Sequence, residues 1–289
     1  MRPNLSSSVA VLRILLAIPN LLTAQHIPEQ LLKTAVLIQL DNGKQGSGFY
    51  LQDSLHTYLI TARHVLFEKM ATNGKDSLVV AARHIECISY PADPSRSEKT
   101  ILSINLEAAN DSGMVRCERE ADVGAIQVGD VKKVNDSLAM IEYLPFANKD
   151  RSTHVETLPV SIIQEYNDIH LGETVYIFGY PTSIGLQKSP QFDHERPLLR
   201  KGSVAGKNAS KRTVIIDCPT YYGNSGGPVI VEEMDGFTTY YKLIGVVSEF
   251  VPYEEDWKNS RNNSVNVSIT NSGYSVVVPI ESILHLYER

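Results

Sequence analysis

The sequence predicts an all-β protein built from two successive runs of short strands, and three observations carry that reading. Short β-branched and apolar segments recur between Gly, Asn, Asp and Pro turn signals, the pattern of barrels and sandwiches. The rhythm stops over about residues 148–167, which are polar apart from Leu158-Pro159-Val160, and then restarts. Helical spacing is confined to the tail, where Ile280, Ile283, Leu284 and Tyr287 fall on one face.

Taken in order, Thr34-Ala35-Val36-Leu37-Ile38-Gln39-Leu40 ends at the turn signal Asp41-Asn42-Gly43. Gly46-Ser47-Gly48-Phe49-Tyr50-Leu51 and Thr57-Tyr58-Leu59-Ile60-Thr61 follow as strands. Residues 77–82, 101–106 and 121–128 complete the first run, with a loop over Asn110, Asp111, Ser112 and Gly113. In the second run, strands are expected at 173–181, 198–204, 212–217, 229–231, 240–248 and 274–278. Two domains result, residues 25–150 and 151–289.

Composition narrows the function. At 289 residues with 43% apolar content, the chain can bury one large or two modest cores. Net charge is −6 and the basic residues are scattered, so nothing supports nucleic-acid binding. Three cysteines are too few for a zinc framework, and nothing calls for a metal or another cofactor. A Cys87–Cys117 bridge is left open, with Cys218 odd. Residues 1–24 have the order of a secretory signal: Arg2 and Arg13, the apolar run Ile14-Leu15-Leu16-Ala17-Ile18, a break at Pro19-Asn20, and Ala24 before the cleavage point. Arg13 and Leu22 also suit an amphipathic helix. The signal reading places the mature chain in a secreted or periplasmic compartment, and no later segment is long and apolar enough for a transmembrane helix.

The chemistry centres on Gly223-Asn224-Ser225-Gly226-Gly227-Pro228, followed by Val229-Ile230-Val231. A serine among glycines sits at the tip of a tight turn, with backbone N–H groups free to meet an oxyanion. By itself such a run is more often an ordinary turn than a catalytic loop. Serine needs a general base, and the base needs an orienting partner. His64 follows the strand ending at Thr61, and Asp122 precedes a mostly apolar strand, where a buried carboxylate would need donors. The strand after Ser225 also argues against an α/β-hydrolase elbow, which leads into a helix.

Three motifs, Thr61-Ala62-Arg63-His64-Val65, Ala121-Asp122-Val123 and the Ser225 loop, together resemble a trypsin-like, chymotrypsin-fold serine peptidase, nearest the bacterial secreted and periplasmic members. Leu243-Ile244-Gly245-Val246-Val247-Ser248 resembles the family's ending. The resemblance implies two antiparallel Greek-key β-barrels with a C-terminal helix, His64 and Asp122 on the first and Ser225 on the second. It implies a serine endopeptidase acting on protein or peptide through an acyl-enzyme: Ser225 as nucleophile, His64 as base and acid, Asp122 as its partner. Gly223 and Ser225 would form the oxyanion hole. Ser248 would bond the aspartate, Glu249 and Phe250 would pair with substrate, and Pro219 would sit at the floor of the primary pocket, where basic-specific members carry aspartate. Asn224 replaces the aspartate that captures a freed N-terminus in zymogens, so activity without N-terminal insertion is expected. Phe250, where glycine is usual, and Arg63 keep a second reading in play, a catalytically idle peptidase-fold module that binds peptides or partners.

Overall fold

A computed structural model describes residues 29–72, 75–91, 96, 98–135, 138–150, 155–182, 188–191, 193, 196–236, 238–259, 261–262, 264–284 and 287. The expected signal segment, residues 1–24, lies outside them. In the first half the strands are β1 (Ala35–Leu40), β2 (Gln45–Gln52), β3 (His56–Thr61), β4 (Phe67–Thr72), β5 (Lys75–Val80), β6 (His84–Ser89), β7 (Thr100–Asn105), β8 (Val115–Cys117), β9 (Gly124–Asn135), β10 (Leu138–Tyr143), β11 (Ala147–Lys149) and β12 (Thr157–Pro159). β13 (Thr174–Gly179), β14 (Leu198–Asn208), β15 (Thr213–Asp217), β16 (Pro228–Asp235), β17 (Thr238–Asn259) and β18 (Ser264–Pro279) form the second.

The first half curls as one sheet in the order β10-β9-β3-β2-β1-β6-β7-β11, with β8 on β9 and β12 added parallel to β2. The second half closes as a barrel, β13-β14-β15-β18-β17-β16. This is the chymotrypsin-like two-barrel fold that the sequence predicts. Among the described residues β4 and β5 pair only with each other, as a hairpin that follows the His64 turn in the chain.

Three apolar layers explain why the strands read as nearly continuous hydrophobic runs. Side chains alternate across a strand, so a run buried throughout must face two cores. On β1, Val36, Ile38 and Leu40 point into the curled sheet, whereas Ala35 and Leu37 face the second barrel. On β13, Val175 and Ile177 fill the closed barrel, whereas Tyr176 and Phe178 join the shared layer. Phe49, Ile60, Phe178, Tyr180 and Ile230, all buried in that layer, come from both halves. Full burial of such side chains contributes about 1.5–3 kcal/mol each. The layer thus fixes the two halves in one register, on which any site between them depends.

The tail behaves as its spacing predicts. Glu281–Leu284 forms a helical turn, with Ile280 and Ile283 buried in the shared layer and Leu284 and Tyr287 packed against it. The structure departs from the sequence reading in several places: β4, β6, β8, β10, β11 and β12 are not among the expected strands, and β12 lies within the stretch read as polar linker. Leu106–Asp111 is a short α-helix, capped by the Asn105 side chain, which accepts from Ala108 N–H. β17 and β18 run far beyond the barrel as a two-stranded ribbon paired out to Asn259 and Ser264. Cys87, Cys117 and Cys218 are free thiols, and burial pushes the Cys218 thiol up to about 11.

Candidate active site

His64 is delivered by β3. The strand is pinned between β2 and β9, and after Ala62 the chain turns into the single helical turn Arg63–Leu66. Val65 and Leu66 are buried, which leaves His64 on the open side, with about half of its side chain exposed. Asp122 sits just before β9, the neighbour of β3. Arg63 steadies that approach, donating from one guanidinium nitrogen to the carbonyls of Glu118 at 2.9 Å and Arg119 at 2.5 Å.

The two side chains meet. His64 Nδ1 lies 2.7 Å from Asp122 Oδ2, and His64 N–H donates to Asp122 Oδ1 at 3.1 Å. Ser248 Oγ, from β17, donates to the same Oδ2 at 2.7 Å. Burial by itself would raise the Asp122 carboxyl. The hydrogen bond and charge of His64, with the Ser248 hydroxyl, outweigh it, so the carboxyl lies below its ordinary value. With Nδ1 engaged, His64 presents Nε2 to the cleft.

Ser225 follows a turn in which Asn224 N–H donates to the Tyr221 carbonyl at 3.0 Å. Gly223 is the third residue of that turn and has φ +92°, the type II form that only glycine adopts without strain. A Cβ there would lie 2.2 Å from the Tyr180 carbonyl oxygen. Gly226 is equally constrained, with φ +87° and Thr61 Oγ1 2.1 Å from where a Cβ would sit. Among the described residues, the N–H groups of Gly223 and Ser225 donate to nothing. Their orientation is nevertheless fixed. In a trans peptide the C=O and the next N–H point in opposite directions. The Tyr222 carbonyl accepts from Thr182 N–H at 2.7 Å, and the Asn224 carbonyl accepts from Gly227 N–H at 3.0 Å, so the Gly223 and Ser225 N–H groups face the other way.

Ser225 Oγ donates to the Ser248 carbonyl oxygen at 3.1 Å; no hydrogen bond joins it to His64 among the described residues. Asn224 is buried, and among the described residues its Oδ1 has no partner. His64, Asp122, Ser225, Ser248, Glu249 and Phe250 all line one cleft of about 1030 Å³. Pro219 does not line it; its neighbour Thr220 does, with Thr220 Oγ1 2.8 Å from Ser275 Oγ. Beside them Tyr222 meets Phe250 edge to face, ring centroids 5.9 Å apart. Ser47, Thr182 and Tyr222 went unnoticed in the sequence. Only Ser47 left a signal, the small-residue run Gly46-Ser47-Gly48 inside a strand, which marks close approach of another backbone.

The trypsin-like peptidase domain family matches residues 46–235, from β2 through β16 and across His64, Asp122 and Ser225. The chain belongs to that family. Among solved structures, this trypsin-like domain is similar to the HtrA-type protease AlgW with tripeptide at 14% identity and TM-score 0.47, over 89% of this chain and 59% of that one. It is similar to Deg5 at 16% identity and TM-score 0.47, over 89% and 88%. Protease Anisep from Arthrobacter nicotinovorans is similar at 15% identity and TM-score 0.40, over 85% and 88%. No curated protein matches the chain.

Proposed function

We propose that this trypsin-like domain is a serine endopeptidase using Ser225, His64 and Asp122. The observation that carries the proposal is the hydrogen-bonded series Ser248–Asp122–His64, in one cleft with Ser225 and two unpaired N–H groups. His64 Nε2 takes the Ser225 proton as Oγ attacks the scissile carbonyl carbon, and Asp122 stabilises the imidazolium. The Gly223 and Ser225 N–H groups stabilise the oxyanion, and His64 returns the proton to the leaving amine. Water then attacks the acyl-enzyme by the same route, releasing the acid.

The hydrogen bond from Ser225 to Ser248 fits this scheme. A substrate strand added antiparallel along Ser248 to Phe250 brings a backbone N–H to the Ser248 carbonyl. That N–H displaces the Ser225 hydroxyl, which turns to His64; catalytic hydrogen bonds commonly tighten only in the complex. Asn224 offers no charge to hold a freed N-terminus, so the chain is active without such insertion. Its place of action is secreted or periplasmic. The test is hydrolysis of a denatured protein by the purified chain: internal cleavage lost in Ser225→Ala supports the proposal, and intact substrate with folded wild type leaves the idle binding module.

A further inference from the structure

Ser47 lies on β2, in the curled sheet, yet its hydroxyl's partners belong to the second half of the chain. It is fully buried. Its Oγ donates to the Gly223 carbonyl at 2.6 Å and accepts from Tyr180 N–H at 2.9 Å. Its own N–H donates to the Ser225 carbonyl at 2.8 Å. One residue therefore holds the carbonyls of both residues whose N–H groups are free in the cleft. Its carbonyl in turn accepts from Thr61 Oγ1 at 2.7 Å, and Thr61 ends the strand that delivers His64.

We propose that Ser47 is a positioning residue for the oxyanion hole, its hydroxyl setting the Gly223–Asn224 peptide in a fixed place relative to His64. The inference rests on the serine-peptidase reading above. Without the hydroxyl, the buried Gly223 carbonyl and Tyr180 N–H both lose a partner. The turn is then held by Asn224 N–H to the Tyr221 carbonyl and by Thr182 N–H to the Tyr222 carbonyl, and neither bond reaches the Gly223 carbonyl. Removing an oxyanion donor outright costs about 100-fold to 1,000-fold, so loosening one is expected to cost less. The loss falls on the transition state, because the ground-state substrate is held chiefly along β17.

The test is steady-state kinetics of Ser47→Ala and the near-isosteric Ser47→Cys on one peptide substrate, with folding checked by near-ultraviolet circular dichroism. In Ser47→Ala, kcat is expected to fall about 10-fold to 100-fold with KM within about 2-fold, and Ser47→Cys is expected to fall between it and wild type. Affinity for a peptide aldehyde, which forms a tetrahedral adduct, falls in parallel. Binding of the uncleaved peptide to Ser225→Ala is unchanged when Ser47→Ala is added. Wild-type kcat and aldehyde affinity in Ser47→Ala overturn the inference, as do equal losses in aldehyde and peptide binding. If Ser47→Ala does not fold, Ser47→Cys decides by the same measures. Wild-type hydrolysis and its loss in Ser225→Ala report separately on the peptidase reading.

Discussion

Ser248 Oγ donates to Asp122 Oδ2 at 2.7 Å, joining the closed barrel to the curled sheet at the oxygen that also meets His64. The carboxylate is satisfied from both halves of the protein. Its position is thus tied to the packing of one half on the other.

Asp122→Asn keeps the shape and reverses a donor. Held by His64 N–H on one side, the amide turns its NH₂ toward His64 Nδ1, so the proton moves to Nε2 and His64 cannot accept from Ser225. Turnover should fall roughly 10,000-fold with the fold intact. Stopped-assay kinetics with circular dichroism check it; near-normal kcat would mean that another carboxylate serves His64.

The depressed Asp122 carboxyl also predicts a pH dependence of stability. A folded pKa below the unfolded one, about 3.9, gives stability that is fully present above that value and is lost as pH falls through the folded pKa. Urea unfolding from pH 5 down to pH 2 should show wild type losing stability relative to Asp122→Asn. A constant difference over that range counts against the ionised, hydrogen-bonded carboxylate.

Gly223→Ala places a Cβ against the Tyr180 carbonyl oxygen at positive φ. The turn relieves this by moving its peptide, which takes the Gly223 N–H out of the cleft. Loss of kcat of at least about 100-fold is expected, with Ser225 still present. Retained activity would show that the Gly223 N–H is dispensable.

The cleft wall at Thr220 is uncharged, its hydroxyl bonded to the buried Ser275 hydroxyl behind it, and Tyr222 and Phe250, in edge-to-face contact, line the same cleft. Peptides with small uncharged residues before the scissile bond should be cut in preference to those with Lys or Arg. Phe250→Gly should shift the preference toward larger side chains. A peptide-library cleavage profile tests both; strong Lys/Arg preference in wild type would contradict the assignment of this wall.

Much of this was legible where local chemistry and tertiary role agree. β1 and β13 announce themselves because both of their faces are buried. The loop at Ser225 stands out because Gly223 and Gly226 carry positive φ. The ribbon did not: Pro252, Glu254, Glu255 and Asp256 are poor strand formers, held in β17 by the ladder to β18. The helix at Leu106–Asp111 was masked by an apolar run that continues out of β7, although Asn105 supplies a cap. The run Gly46-Ser47-Gly48 signals a close approach, but the partner of the Ser47 hydroxyl was out of reach because Gly223 is 176 residues away and the bond exists only once the halves pack.

The most direct measurement of the central claim is labelling by a serine-directed fluorophosphonate, followed by intact-mass analysis. One adduct per chain on Ser225, absent in Ser225→Ala and strongly slowed in Asp122→Asn, is the predicted result. A folded wild-type protein that takes no label would contradict it.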